Sequence, residues 1–236
     1  MPQVKGTPRT DKNSLIAHEQ LVAKAKQGKI DLYFVGDSIT RRWGTSDPQY
    51  SHFLANWNAN FLGWNAANFG WGADTTQNIL WRLENGELDG VNPKVIVIQA
   101  GTNNLPSGAS AKDIAAGIQA LVEISHQKAP RATIILTGIF PRNDNRAYAS
   151  TIAEVNSELS LYAKTQSLEF LNINNLLADE NGTLHKGIAV DGLHLDVKGY
   201  QIWADALEPL LTRLLGRRAS IDLAPKPTGD PGLHGG

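Results

Sequence analysis

The stretch KVIVIQAG, residues 94–101, decides the fold. Val95 to Ile98 are all β-branched and all apolar, so both faces of an extended chain would be greasy. A strand of that kind must be covered on two sides, which is the habit of central strands in parallel sheets flanked by helices. Gly101 ends it. On either side, similar runs alternate with helix-like segments. DLYFVG (31–36) and GWNAANFG (63–70) precede it, and ATIILTGIF (132–140) and LEFLNI (168–173) follow as further strands. Between and around them lie helical segments at 13–28, 48–57, 74–86, 111–129, 145–166 and 196–216. The first reads as capped by Asn13 or Ser14, and the third as capped by Asp74 or Thr75.

Five strands alternating with helices predict an α/β fold: a three-layer αβα sandwich on a five-stranded parallel sheet in the flavodoxin-like order 2-1-3-4-5. Residues 13–216 are expected to form one domain, with an N-terminal extension 1–12 and a Pro/Gly-rich tail 217–236 loose or draped on the surface. A chain of 236 residues can bury a core of this kind unaided. The net charge of −1 and the scatter of Lys and Arg speak against nucleic acid as a partner. No apolar run is long enough for a membrane span. The opening residues lack the apolar core of a signal peptide, which predicts a cytoplasmic protein by default, or a secreted one if a leader has been removed. With no cysteine, thiolate chemistry and disulfides are excluded. Oligomeric state is not readable.

In a doubly wound sheet, ligands bind beyond the carboxyl ends of the strands, where the strand order reverses. That rule nominates three loops: GDSIT (36–40), GWGADTT (70–76) and GTNN (101–104). Ser38 has a plain reading as a helix N-cap. Gly36 nevertheless permits a sharp strand-to-helix turn that lifts the hydroxyl onto the sheet edge, and Asp37 can hold that turn. A serine needs a base to become a nucleophile. Of the six histidines, His18 and His126 read as helical, His52 sits on a short helix, His234 is in the tail, and His185 and His194 lie in the loop before the last helix. A loop histidine is most often merely solvated, but Asp191 stands three residues before His194 in DGLH. In a tight turn the two side chains can meet, which would fix the imidazole tautomer and free Nε2 for Ser38. Asp191 could equally just cap the turn with Gly192. Oxyanion donors are available from the backbone of Ser38, from Gly72 and Ala73, and from the side-chain amides of Asn103 and Asn104. The alternative for the asparagines is that they tolerate left-handed backbone in a turn.

At these residues the chain resembles the SGNH hydrolases, or GDSL-type esterases. GDSIT, NFGWGADTT, GTNN and DGLH look like the family's first, second, third and fifth blocks, in order, and the resemblance covers roughly residues 30–215. The stretch from Asn68 to Asn104 is further similar to platelet-activating-factor acetylhydrolase catalytic subunits and bacterial esterases like them. The resemblance implies Ser38 as nucleophile, His194 as acid and base, and Asp191 as its orienter. It also implies an oxyanion hole from Ser38, Ala73 and Asn103. Ala73 stands where the family has glycine. Its N–H is kept if φ is negative; a positive φ would strain the hole or shift the donor to Gly72.

The expected activity is a cofactor-free, metal-free serine esterase for short-chain, chiefly acetyl, esters of a small molecule or a carbohydrate. Phospholipid-like and aryl esters are the alternative. Asp37, Trp71, Asn104 and Arg41 are candidate substrate contacts, and Arg42 lies beside them. The rival classes are a metal-dependent phosphohydrolase, suggested by the Asp, Asn and His of the loops, and a sugar-binding module, suggested by Trp43, Trp64 and Trp71. Trp64, Trp81 and Trp203 are better placed in packing.

Overall fold

A computed structural model describes residues 4–166 and 168–233, so His234 lies outside the described residues. The strands are β1 (Leu32–Gly36), β2 (Ala66–Gly70), β3 (Val95–Gln99), β4 (Thr133–Thr137) and β5 (Glu169–Leu171). They form one parallel sheet in the order β2-β1-β3-β4-β5, as the alternation predicts. β1 pairs with both β2 and β3, so the order reverses beside its carboxyl end.

The helices are α1 (Lys12–Ala25), α2 (Ser38–Trp43), α3 (Ser51–Phe61), α4 (Thr76–Arg82), α5 (Ala111–Lys128), α6 (Ala149–Gln166), α7 (Asn174–Leu177) and α8 (Val197–Leu215). Alternation within the strands sorts them into two layers. Tyr33, Val35, Ile96 and Ile98 face a core built with α1, α4, α5 and α6. Leu32, Phe34, Val95 and Val97 face the other core, built with α2, α3, α7 and α8. That second core is aromatic. Trp43 stacks on Tyr200 and Trp203 with ring centres 4.9 and 5.0 Å apart and is wholly buried, which removes it as a sugar platform. Trp64 is also buried and donates its indole N–H to the Gly216 carbonyl at 2.9 Å.

Element ends differ from the sequence reading where side chains intervene. Asp11, not Asn13 or Ser14, caps α1, accepting from the Ser14 N–H at 2.9 Å. α4 stops at Arg82 because Asn85 and Gly86 leave helical geometry, Gly86 at φ +115°. β5 is three residues long; Asn172 then accepts from the Asn174 N–H and starts α7. The tail runs over the surface and is fastened there. Asn65 accepts from the Leu223 N–H at 2.7 Å, and Asp47 accepts from the Asp230 N–H at 2.6 Å. Among the described residues, no helix is long and apolar enough to cross a membrane.

Candidate active site

β1 ends in the core, and the chain turns at Gly36 directly into α2. The turn is tight: a Cβ at Gly36 would lie 2.3 Å from the Gln99 carbonyl oxygen. Asp37 caps α2 through a 2.9 Å bond from the Ile39 N–H, so Ser38 becomes the first helical residue, with its side chain partly exposed. Asp37 itself has no exposed surface, and its Oδ2 has no partner among the described residues. Burial pushes its carboxyl up to about 7, against the pull of the Ile39 N–H.

The loop before α8 arrives from the opposite end of the sequence. Ala189 and Leu195 form an antiparallel bridge, and the Val190 N–H donates to the His194 carbonyl at 2.9 Å, closing a narrow turn. Inside it Asp191 Oδ1 accepts from the N–H groups of Leu193 and His194 at 3.1 and 2.8 Å. Gly192 sits at φ +79°, and a Cβ there would come within 2.8 Å of the Asp144 nitrogen. The remaining Asp191 oxygen receives the His194 Nδ1–H at 2.7 Å. That leaves Nε2 as acceptor for the Ser38 hydroxyl, 2.9 Å away. Three side chains thus form a continuous relay from Asp191 to Ser38. Burial opposes ionisation of Asp191, but the two N–H groups and the imidazole hold its carboxyl down to about 2. Burial also lowers the His194 imidazole; the Asp191 bond opposes this, and the nearby Arg42 charge adds to the lowering. A histidine so tuned is neutral, and so a base, at neutral pH.

The two remaining loops meet the serine turn. The Trp71 N–H donates to the Gly36 carbonyl at 3.1 Å, and Asn103 Nδ2 donates to the Asp74 carbonyl at 3.0 Å. The second Asn103 amide hydrogen has no acceptor among the described residues, nor have the N–H groups of Ser38 and Ala73. Ala73 lies at φ +61°, the positive value that costs an alanine about 1 kcal/mol. Gly72 has open space where its Cβ would be.

The four candidate substrate contacts are otherwise occupied. Asp37 is buried in the turn. Trp71 is buried and donates its indole N–H to Ser14 Oγ at 2.8 Å. Asn104 accepts from the Thr76 N–H at 3.0 Å and donates to Gln77 at 2.9 Å, fastening the start of α4. Arg41 pairs with Asp47 at 2.5 Å and lies over the Trp71 ring. Arg42, by contrast, stands next to the relay, 3.6 Å from Asp191.

Sequence reasoning missed the charges beneath the site. Arg82 is buried and donates to Asp74 at 2.7 Å, to the Phe69 and Gly36 carbonyls at 3.0 and 3.3 Å, and to Glu87. His18 Nδ1 donates to Glu87 at 2.8 Å. Burial raises Asp74 in spite of Arg82, and it lowers the fully enclosed Lys24 to about 7. One signal was legible: Arg82 shares the apolar stripe of α4 with Ile79, and Leu83 continues it, where an unpaired cation would be costly.

Known proteins place the chain in a family. Residues 34–202 match the GDSL-like Lipase/Acylhydrolase family. The chain is 31% identical over 239 residues to the platelet-activating factor acetylhydrolase IB subunit alpha1 of Bos taurus, covering 98% of this chain and 97% of that protein. A crystal structure from Bacteroides fragilis assigned as an acylhydrolase superimposes with a TM-score of 0.71 at 21% identity, covering 88% of this chain and 100% of that one. An acetyl-xylooligosaccharide esterase from Geobacillus superimposes with a TM-score of 0.59 at 20% identity, covering 82% and 97%. The chain belongs to the GDSL-like lipase/acylhydrolase family and is a carboxylic ester hydrolase.

Proposed function

We propose that the protein is a serine esterase that removes acetyl and other short acyl groups through an acyl-enzyme. The observation that carries this reading is the relay of 2.7 and 2.9 Å from Asp191 through His194 to the Ser38 hydroxyl. Ser38 Oγ attacks the ester carbonyl carbon while its proton passes to His194 Nε2. The carbonyl oxygen becomes an oxyanion, facing the N–H groups of Ser38 and Ala73 and the free amide hydrogen of Asn103. Collapse expels the alcohol, which takes the proton from His194. Water then repeats the steps, losing its proton to His194 and releasing the acid and the serine. The likeness to acetylhydrolase subunits supports the small acyl group. So does the position of the relay near the surface, with the Asp191 side chain 46% exposed.

Carbohydrate acetates are the alcohol side we favour for a first panel. The exposed edge of Arg42 beside the relay gives a second reading, an alcohol that carries negative charge, as a phospholipid-like ester does. The test is hydrolysis of p-nitrophenyl esters of rising chain length, run beside acetylated xylan, acetylated monosaccharides and an acetylated phospholipid. Acetate esters should be turned over fastest, and Ser38→Ala should cut kcat at least about a thousandfold with the fold intact. Undiminished turnover by Ser38→Ala, or no labelling of Ser38 by an organophosphate, overturns the reading.

A further inference from the structure

The N-terminal arm reaches the oxyanion loop. The Thr7 N–H donates to the Gln77 carbonyl at 3.0 Å, and Asn78 returns a bond to the Thr7 carbonyl at 2.9 Å. The arm is thereby laid against α4, and two residues on it carries Arg9. The Arg9 guanidinium donates to the Gly72 carbonyl at 3.0 Å and to the buried Asp74 carboxylate at 3.3 Å, while its other nitrogen meets Asp11 at 3.0 Å.

The Gly72 carbonyl and the Ala73 N–H belong to the same peptide unit. All peptide bonds among the described residues are trans, so that C=O and that N–H point in opposite directions. A guanidinium that holds the oxygen therefore fixes the direction of the hydrogen, which points away from Arg9. The residues flanking this peptide touch the other parts of the site: Trp71 bonds to the serine turn, and Asp74 accepts from Asn103. Ala73 adopts a positive φ that alanine avoids, so the loop has reason to relax by rotating this very peptide. A family glycine would feel little of that pressure.

We propose that Arg9 is a positioning residue for the oxyanion donor: it locks the Gly72–Ala73 peptide so that the Ala73 N–H faces the reacting carbonyl. This rests on the serine-esterase reading and on Ala73 as a donor. The cation also polarises the amide it holds, which strengthens the opposite N–H. Asp74, anchored by Arg82 on one side and by Arg9 on the other, keeps the guanidinium in register.

The experiment is steady-state hydrolysis of p-nitrophenyl acetate by Arg9→Met, which keeps the aliphatic stem but no donor, and by Arg9→Lys, which restores the charge. An oxyanion donor is worth about 10²–10³ in kcat, so a loosened one should cost roughly tenfold or more. The expected result is that loss in kcat for Arg9→Met with KM within about twofold, and a partial recovery in Arg9→Lys. The acid limb of the pH profile should stay where it is, since His194 is untouched. Wild-type kcat in Arg9→Met, a loss confined to KM, or a displaced acid limb overturns the lock. Should Arg9→Met not fold, Arg9→Leu, which also lacks a donor, takes its place, and wild-type kcat there overturns the lock equally. An active Ser38→Ala would instead sink the esterase reading itself, so the two failures are distinguishable.

Discussion

The two arms of the relay are held in opposite ways. Ser38 sits on a turn cast into the sheet: Gly36, Asp37, Ile39 and Thr40 around it are all buried, and the neighbouring loops are tied down by Arg82, Asn104 and Trp71. Asp191 and His194 sit on a surface turn that is held mostly by itself, with the Asn143 N–H bond to the Gly192 carbonyl at 2.7 Å as its main outside anchor. On the proposed reading, the nucleophile and its oxyanion donors are thus preorganised by the core, while the base is preorganised by one aspartate. That separation predicts that chemistry and stability can be broken independently. Asp191→Asn keeps an oxygen to accept the Leu193 and His194 N–H groups, so the turn should survive. It cannot hold Nδ1–H as a carboxylate does, and the resulting loss of tautomer control should cost about 10³–10⁴ in kcat. The melting temperature should barely change. A variant that loses stability in step with activity would erase the contrast.

The converse break lies under the serine. Arg82→Met leaves the buried Asp74 with only the partly exposed Arg9 and the buried Glu87 with only His18, and strips a donor from the Phe69 and Gly36 carbonyls. Removing one partner of a buried charge network costs about 3–5 kcal/mol. Urea unfolding should show a loss of that size, and a loss below about 1 kcal/mol would mean that water reaches this network. The remaining fold should keep the Asp191–His194 turn, which makes no contact with Arg82.

The same contrast explains what could be read from the residues alone. Strand order and the meeting of Ser38 with His194 follow from local signals: the apolar run Val95–Ile98, the glycine turn at Gly36, and DGLH in one tight loop. The buried charges were legible only in part: Arg82 falls on an apolar stripe, but Lys24 and Glu87 look like surface residues until their partners, the Asn68 carbonyl, Arg82 and His18, are known. Trp43 and Trp71 misled in the reverse sense: exposed-looking aromatics near a turn proved to be core. Ala73 shows a third kind of limit. Its spelling raised the question of φ, but only the loop geometry answers it, with +61°.

The smallest effect probes how far the surface turn feels the core-built helix. Arg42 belongs to α2, yet its charge reaches Asp191 and lowers His194 after burial has done so. The proposed mechanism requires neutral imidazole, so kcat/KM should rise with pH through the His194 pKa. That acid limb should have its midpoint below the about 6.5 of a free histidine. Arg42→Gln removes a repelling cation from the imidazolium, favours the protonated form, and should move the midpoint upward. High salt should do the same to the wild type, because Arg42 is partly exposed and its field is screened. In Arg42→Gln the salt response should shrink. An acid limb that stays fixed in both experiments would show that the two arms of the relay are electrostatically independent, and that burial and Asp191 set the base without Arg42.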